Sequence, residues 1–236
     1  MGDINQFIFV RERAEHFNGP FLEVGSKDYG TTQDLRSLFA IKDEYVGVDM
    51  EDGPGVDIVL DLTANFDQLD ATLNSRRFGT IFCLSVLEHC GDPFKMAENL
   101  TRLLKPNGCI CISVPFAWQI HGYPSDYWRF TPEGVRKLFP DIQFNMGQSL
   151  AVTSRQNDFR QLDDELGKIS FSFSKHRASG HPLRGISAKS LKILSRVGVL
   201  RWLTGYRHVF APTGILMIGR RRGCENESVG DFEQSA

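Results

Sequence analysis

The chain has 236 residues, of which 41% are hydrophobic and 24% charged, which is enough to bury the core of one α/β domain. Its formal net charge of −2 provides no general attraction to nucleic acid phosphates, and no apolar run approaches the length of about 20 residues that a membrane-spanning helix needs. Charged residues interrupt the short apolar stretch at the N-terminus, so no signal peptide is expected and a cytoplasmic location is predicted.

Helices and buried strands alternate along the first half of the chain. Residues 3–17 have apolar side chains at helical spacing, and Asn18-Gly19-Pro20 ends this helix before FLEVG, an apolar run typical of a buried strand. The elements predicted next are a helix at 32–40, strands at 44–50 and 56–62, a helix at 64–78 and a strand at 80–89.

The same alternation continues in the second half. Asp92 and Pro93 are residues typical of a helix cap and first turn, and Lys105-Pro106-Asn107-Gly108 ends that helix. The later predictions are a strand at 109–116, a helix at 131–139, a strand at 143–152, a helix at 187–203 and a last strand at 210–222. Apolar strands separated by helices predict a doubly wound sheet that is covered on both faces.

We expect a single domain over residues 1–222 and a flexible polar tail over 223–236. Residues 155–207 are rich in Lys, Arg, Ser and Gly and form an insertion, for which a cap packed over the acceptor site is favoured. Two alternatives stay open for it. Its amphipathic part is suited to peripheral contact with an anionic membrane surface, and its basic side chains are suited to a phosphate or carboxylate on the acceptor. The basic residues considered are Arg155, Arg160, Lys175, Arg177 and Arg184.

Five cysteines form an odd set, which fits reduced thiols better than a disulfide framework. Cys109 and Cys111 alternate along a strand, and no second Cys/His pair stands at zinc spacing, so burial is favoured and no metal is expected.

Three strand ends carry residues suited to a nucleotide-like ligand. Glu23, Gly25 and Gly30 mark the loop after the first strand, where backbone amides can approach a ligand without obstruction. Asp49 closes the second strand, where a carboxylate can bind both ribose hydroxyls, and Asp61 closes the third. For either acid alone, a helix cap or a solvated loop residue is the alternative.

These strand ends resemble the motifs of class I S-adenosylmethionine-dependent methyltransferases, in a subgroup like methyltransferase type 11. The resemblance covers about residues 20–140 and lies in FLEVG, YVGVDM, DIVLDL, FCLSVLEHCGDPFKMAENLTRLLKPNG and CICISVP, and TGILMIGRRR is similar to the family's antiparallel final strand. It implies a Rossmann-like sheet of seven mostly parallel strands, with S-adenosylmethionine as cofactor and S-adenosylhomocysteine as product.

The resemblance also implies which residues contact the cofactor. Those implied are Glu23, Gly25, Ser26 and Gly30 around the methionine part, Asp49 and Met50 at the ribose and adenine, Asp61 and Leu62 at the adenine edge, and Ser85 in the pocket. One position departs from the family's E/D-x-G-x-G-x-G pattern, because Lys27 replaces the second glycine. A different path of this loop would follow, which puts the cofactor affinity in question.

The acceptor is predicted to bind beside FAWQIHGYPSDYWRFTPEGV (116–135), which resembles a segment of methyltransferases associated with polysaccharide and sugar modification. A hydroxyl acceptor needs a base, for which His121 is the first candidate, His89 the second, and Asp126 either an orienting carboxylate or an alternative base. The residues predicted to bind the acceptor are Tyr123, Tyr127, Trp128 and Arg129. Each also has a structural alternative, as a cap, an ion pair or core packing.

The function predicted is methyl transfer to a hydroxyl of a small molecule, sugar or glycan. Methylation of a carboxylate, a phosphonate or another natural product is an alternative that needs no base. A protein that keeps the fold and binds the cofactor without catalysis is another, and a nicotinamide-dependent oxidoreductase is disfavoured because G-x-G-x-x-G is absent. The oligomeric state and the acceptor are left open.

Overall fold

The computed structural model describes residues 4–30, 34–40, 43–122, 125–162, 172–178, 180, 182–196, 198 and 212–223. Five strands of its central sheet are parallel: β1 (Phe21–Val24), β2 (Tyr45–Asp49), β3 (Ile58–Val59), β4 (Phe78–Leu84) and β5 (Leu104–Pro115). They lie in the order β3-β2-β1-β4-β5, so strand order reverses beside β1. The carboxyl ends of these strands meet at one edge of the sheet, which is where such folds bind ligands.

Four more strands complete the described sheet: β6 (Ile142–Phe144), β7 (Leu150–Val152), β8 (Phe159–Gln161) and β9 (Gly214–Arg221). β9 runs antiparallel to β5 along its whole length, pairing Cys109 with Arg220 and Pro115 with Gly214. Both β6 and β7 pair with β9, and β8 pairs with β7, all antiparallel. The predicted Rossmann-like fold with an antiparallel final strand is therefore confirmed.

The helices are α1 (Ile4–Arg11), α2 (Arg36–Phe39), α3 (Phe66–Thr72), α4 (Pro93–Leu103), α5 (Pro132–Leu138), α6 (Phe173–Ala178) and α7 (Pro182–Arg196). Short 3-10 turns lie at Ala14–His16 and Leu87–His89. On β4, Ile81 and Cys83 face the core under α3, α4 and α5, whereas Phe82 and Leu84 face the core under α1 and α2. This alternation follows from the two-residue repeat of a strand and shows why β4 reads as a continuous apolar run.

The sheet differs from the sequence-based prediction in its strand count and in several boundaries. The strand predicted at 143–152 is two short strands, β6 and β7, because Asn145 Oδ1 accepts the Gly147 N–H and folds the chain into a turn between them. β3 spans two residues rather than 56–62, and residues 87–89 leave β4 as a 3-10 turn. The first and third predicted helices are shorter, at 4–11 and 66–72.

The predicted helix at 187–203 begins earlier, as α7 at Pro182, and the predicted residues beyond 198 and the tail after 223 lie outside the described part of the chain. Cys83, Cys90, Cys109 and Cys111 are buried free thiols, while Cys224 lies outside the described residues.

One buried amide fixes the chain where it leaves β3. Asn99 on α4 is fully buried, and its Nδ2 donates to the carbonyl of Leu62 at 2.8 Å and to that of Ala64 at 2.9 Å. Leu62 and Ala64 lie outside the strands of the described chain, so the amide takes the place of a ladder partner and sets the position of the turn after β3.

We expect Asn99→Ala to lower the free energy of unfolding by about 2–3 kcal/mol, because it leaves both carbonyls without their donor. Urea denaturation followed by circular dichroism measures the change. Gln68→Ala, at an exposed position of α3, is the matched control and should change stability by less than about 0.5 kcal/mol. Equal stability of the two variants would contradict the structural role of Asn99.

Candidate active site

Gly25 makes the turn at the carboxyl end of β1. Its φ is +71°, and a Cβ atom there would lie 2.6 Å from Cγ2 of Val86, so both the backbone conformation and the space require glycine. Its N–H donates to the carbonyl of Val48, which ties the end of β1 to the end of β2. The loop that follows is thus fixed at the switch point of the sheet.

Asp49 at the end of β2 is hydrogen-bonded to the backbone of this loop. Its Oδ2 accepts the N–H of Lys27 at 3.2 Å, and its Oδ1 accepts the N–H of Glu51 at 3.1 Å. A carboxylate has about four acceptor positions, so each oxygen keeps a further lone pair for a ligand hydroxyl. Asp49 therefore points across the tips of β1 and β2, where the sequence places it.

The Lys27 side chain is directed along residues 51–53. Its Nζ lies 2.7 Å from Glu51 Oε2, and its stem packs on Gly53, where a Cβ would approach Lys27 Cε to 3.0 Å. The departure from the family's glycine pattern is thus accommodated by a second glycine and an acid in the next loop. This pairing could not be predicted from the sequence, because Glu51 and Gly53 follow β2 whereas Lys27 follows β1.

The other residues predicted for the first loop occupy different places. Ser26 is buried, and its Oγ lies against Gly47 without a hydrogen-bond partner. Gly30 has a φ of +83° and open space around it, and its N–H donates to Asp28 Oδ1. Glu23 lies within β1 rather than at its tip and accepts a hydrogen bond from the Tyr45 hydroxyl at 2.7 Å, and burial raises the pKa of Glu23 to about 7.

Two of the residues predicted to contact the cofactor, Asp61 and Leu62, follow β3. Asp61 is exposed, and its Oδ1 accepts both the N–H and the hydroxyl of Thr63. Leu62 is buried in the core, so only its backbone faces the loop region, whereas Met50 after β2 is 66% exposed. Met50 is therefore an uncovered apolar side chain beside the Asp49 carboxylate.

A hydrogen-bonded network of buried polar side chains links α1 to the tips of β4 and β5. Ser85 has a φ of +56°, which non-glycine residues seldom adopt, and its Oγ accepts a bond from Gln6 Nε2 on α1 at 2.5 Å. The same Gln6 nitrogen donates to Ser113 Oγ at 2.9 Å. The Ser85 hydroxyl in turn interacts with the carboxyl of Glu88. α1 is thereby fixed across the carboxyl edge of the sheet.

Glu88 is the most deeply buried acid of this edge, at 1% exposure, and among the described residues its Oε2 has no hydrogen-bond partner. Desolvation raises the pKa of its carboxyl to about 8, and the nearby Asp126 carboxylate acts in the same direction. Glu88 therefore keeps its proton at neutral pH.

Two imidazoles lie beside Glu88. The His89 and His121 rings are 5.0 Å apart, edge to face, and His89 Nε2 lies 3.9 Å from Glu88 Oε1. His89 Nδ1 is 2.5 Å from the carbonyl of Ser125, so this nitrogen is the donor and Nε2 keeps its lone pair. Burial lowers the pKa of His89, which favours its neutral form.

Asp126 organises the segment that carries His121. Its Oδ2 accepts the backbone N–H of His121 at 2.8 Å and lies 3.2 Å from His121 Nδ1. Arg129 donates to both oxygens of Asp126, at 2.5 and 2.7 Å, and these bonds hold the pKa of the Asp126 carboxyl well below its usual range. A carboxylate with so low a pKa is a weak base, so the geometry favours the orienting role over the basic one.

The residues predicted to bind the acceptor are distributed around this cluster. Trp128 donates from Nε1 to the carbonyl of Cys90 and is partly exposed, and Tyr127 is exposed. Arg129 also donates to the carbonyls of Trp118 and Gln119, so its guanidinium braces this segment in addition to pairing with Asp126. Tyr123 lies outside the described residues.

The cluster also has the composition of a metal site. Glu88, His89 and His121 each offer one ligand atom, and these atoms lie within 4.8 Å of one another. Two imidazoles and a carboxylate suit a divalent transition-metal ion. No metal was expected from the sequence, because the three residues come from two segments more than 30 residues apart.

Sequence reasoning missed Glu88, Gln6 and Ser113. Glu88 stands in the LEH motif next to His89, and a charged residue inside an apolar segment was the signal that could have identified it. Gln6 and Ser113 gave no such signal, since nothing in the sequence places α1 against the tips of β4 and β5.

Residues 14–167 match the family described as a methyltransferase domain. No curated protein matches the chain. A SAM-dependent methyltransferase from Archaeoglobus fulgidus has a similar fold, with a TM-score of 0.51 and 13% sequence identity over 92% of this chain and 94% of that one. The 1,6-didemethyltoxoflavin-N1-methyltransferase of Burkholderia thailandensis, solved with its substrate and S-adenosylhomocysteine, gives a TM-score of 0.50 and 12% identity over 92% and 76% of the two chains.

The buried carboxyl of Glu88 predicts a pH-dependent contribution to stability. Its pKa is raised from 4.5 to about 8, so the contribution is fully present below pH 4.5 and is lost as the pH rises through about 8. Glu88→Gln keeps the shape of the neutral acid without the ability to ionise. We therefore expect similar melting temperatures for wild type and variant at pH 5, and a variant that melts several degrees higher at pH 8.5.

Differential scanning calorimetry at the two pH values measures this difference. Glu133→Gln is the matched control, because the Glu133 side chain is 79% exposed and its substitution should give the same small shift at both pH values. A difference between wild type and Glu88→Gln that does not change with pH would show that Glu88 is not a buried neutral acid.

Proposed function

The chain belongs to the methyltransferase domain family, and on that premise we propose that it transfers a methyl group from S-adenosylmethionine to a hydroxyl of a small-molecule, sugar or glycan acceptor. The observation that carries the hydroxyl acceptor is the His121–Asp126 contact beside His89. Methyl transfer to a hydroxyl must remove a proton, and a neutral imidazole oriented by a carboxylate is suited to take it.

The residues at the strand tips fit the cofactor. S-adenosylmethionine supplies an electrophilic methyl group on a positively charged sulfur. Asp49 keeps lone pairs for two ribose hydroxyls, and the uncovered Met50 beside it offers apolar surface for the adenine. The backbone around Gly25 and Gly30 is proposed for the methionine part, with Glu23 and Ser26 in supporting positions, and Asp61, Leu62 and Ser85 complete the proposed cofactor contacts.

His121 is proposed as the base that takes the proton of the acceptor hydroxyl. When Nδ1 donates to Asp126, Nε2 carries the lone pair that receives the proton, and the ionised carboxylate stabilises the resulting imidazolium. His89 is the second candidate, since its Nδ1 is bound to the Ser125 carbonyl and its Nε2 is free to accept. Asp126 acts through His121 and is a positioning residue.

The aromatic side chains near the cluster are proposed to bind the acceptor. Tyr127 and Trp128 are exposed beside the His89 segment, and an aromatic face of this kind stacks well on the apolar face of a sugar. Tyr123 and Arg129 are also proposed to contribute to acceptor binding. Arg129 does so through its hydrogen bonds to Asp126 and to the carbonyls of the preceding loop. The similarity of HGYPSDYWRFTPEG to segments of sugar-modifying methyltransferases supports a glycan-type acceptor.

Calorimetric titration with S-adenosylhomocysteine tests the cofactor site. We expect Asp49→Asn to weaken binding by about tenfold or more, because a hydrogen bond to a charged group contributes about 1.5–3 kcal/mol. Asp52→Asn, an exposed acid in the next loop, is the matched control and should bind like wild type. Wild-type protein that does not bind the compound would refute the cofactor site, and unchanged affinity of Asp49→Asn would refute the role of Asp49.

Substitution of the base tests the reaction. We expect His121→Ala to lower kcat by about 10²-fold or more while the affinity for S-adenosylhomocysteine stays the same, because the base acts only in the chemical step. Production of methylated product across a panel of sugar and small-molecule hydroxyl acceptors measures turnover, and His16→Ala, at an exposed histidine far along the chain from the site, is the control.

Two results would contradict this assignment. Turnover that does not change in His121→Ala and His89→Ala would favour an acceptor without a proton to lose, such as a carboxylate. Loss of turnover after EDTA treatment, restored by a divalent ion, would show that Glu88, His89 and His121 act as metal ligands instead.

A further inference from the structure

α7 exposes apolar side chains along one face. Leu183 is 77% exposed, Ile186 55% and Ile193 54%, and Leu194 is exposed beside them. These residues lie three, ten and eleven positions after Leu183, close to multiples of the 3.6-residue helical repeat, so they form one continuous stripe. Apolar stripes of surface helices normally face the core, and an outward stripe marks an interaction surface.

The opposite face of α7 is the one that packs against α6. Gly185 and Ala188 are buried there, and a Cβ atom on Gly185 would lie 2.8 Å from the Phe173 ring and 3.2 Å from His176 Cβ of α6. Small residues thus allow α6 and α7 to pack closely as a hairpin. Among the described residues, the exposed stripe is therefore on the side of α7 that faces away from α6.

The charge around the stripe has one sign. Residues 172–196 contain no Asp or Glu and six basic residues: Lys175, Arg177, Arg184, Lys189, Lys192 and Arg196. Lys189 lies three residues from Ile186 and four from Ile193, at one edge of the stripe. At the other edge, Leu191 is 38% exposed and lies three residues before Leu194, and Arg184 lies seven residues before Leu191. Long basic side chains at such borders can reach lipid phosphates while the apolar residues between them enter the membrane.

We propose that α7 is an interfacial helix that binds the surface of an anionic lipid bilayer. The stripe of Leu183, Ile186, Ile193 and Leu194 enters the boundary between headgroups and acyl chains, and Arg184 and Lys189 contact lipid phosphates. In the part of the chain that is described, no helix is long and apolar enough to span a bilayer. The contact is thus peripheral and does not depend on the proposed methyl transfer.

Co-sedimentation of the full chain with lipid vesicles tests the proposal. We expect binding to vesicles of equal parts phosphatidylcholine and phosphatidylglycerol, weak binding to phosphatidylcholine alone, and weaker binding as salt is added, because salt screens the basic residues. Arg184→Gln with Lys189→Gln should reduce binding by about 30-fold, since each basic residue near the surface contributes about fivefold. Ile186→Gln with Leu194→Gln should reduce it by about tenfold or more.

Matched controls separate this surface from general charge and apolarity. Arg136→Gln with Lys137→Gln removes two exposed positive charges from α5, and Phe94→Gln removes a 60% exposed apolar side chain from α4. Both controls should bind vesicles like wild type. Circular dichroism spectra and melting temperatures, expected to be unchanged in every α7 variant, show that these variants are folded. Because this control does not use the cofactor, the outcome stays separate from that of the methyltransferase proposal.

Absence of binding to the anionic vesicles would overturn the proposal, as would equal losses in the α7 and control variants. A different occupant of the stripe would also overturn it. If light scattering shows a dimer of the full chain that becomes monomeric in Ile186→Gln with Leu194→Gln, the stripe binds a second copy instead of a membrane.

Discussion

The carboxylate of Asp126 fixes the position of the segment that carries His121. Its two oxygens accept two bonds from Arg129 and the backbone N–H of His121, and the His121 ring lies within 3.2 Å. Residues 118–122 belong to no helix or strand, so this carboxylate and the Arg129 bonds to two of their carbonyls set the position of His121. Since the Asp126 side chain is only 3% exposed, it depends on these protein donors, of which Arg129, with a side chain that is 28% exposed, supplies two.

Hydrogen bonds from one polar side chain to several backbone groups also occur elsewhere along the carboxyl edge of the sheet. Asp49 binds the N–H groups of two loops, and Asn99 binds two carbonyls after β3. Asn5 on α1 donates to the carbonyls of Thr153 and Arg155, and accepts the N–H of a third residue of the β7–β8 turn. Strands end at this edge and leave backbone groups without ladder partners, so polar side chains from distant segments supply them. The edge is rigid where these side chains act.

The sequence was sufficient for the elements that apolar runs define and insufficient for those that side-chain bonds define. β1, β2 and the apolar parts of β4 and β5 form where expected, but β4 ends at Leu84 and β5 begins at Leu104, before its apolar run. β3 ends before residue 62 because Asp61 accepts the N–H of Thr63, which turns the chain. Just before β3, the carboxylate of Asp57 accepts the N–H of Gly47. In the site, strand-end rules located Asp49 and Gly25, but the pairing of Lys27 with Glu51 depends on how two loops approach each other, which spacing along one chain does not encode.

Burial decides where the protons of the cluster lie at neutral pH. Desolvation keeps the carboxyl of Glu88 protonated and His89 neutral, whereas Arg129 keeps Asp126 ionised. The negative charge of the Asp126 carboxylate thus lies next to His121 Nδ1. The protonated carboxyl of Glu88 adds no negative charge beside His89. The His121 ring faces the Asp126 carboxylate, whereas the His89 ring lies between the Ser125 carbonyl and the buried carboxyl of Glu88. This difference in partners separates the two histidines, which spacing alone could not rank, and it is the reason why His121 is the first of the two that we propose as a base.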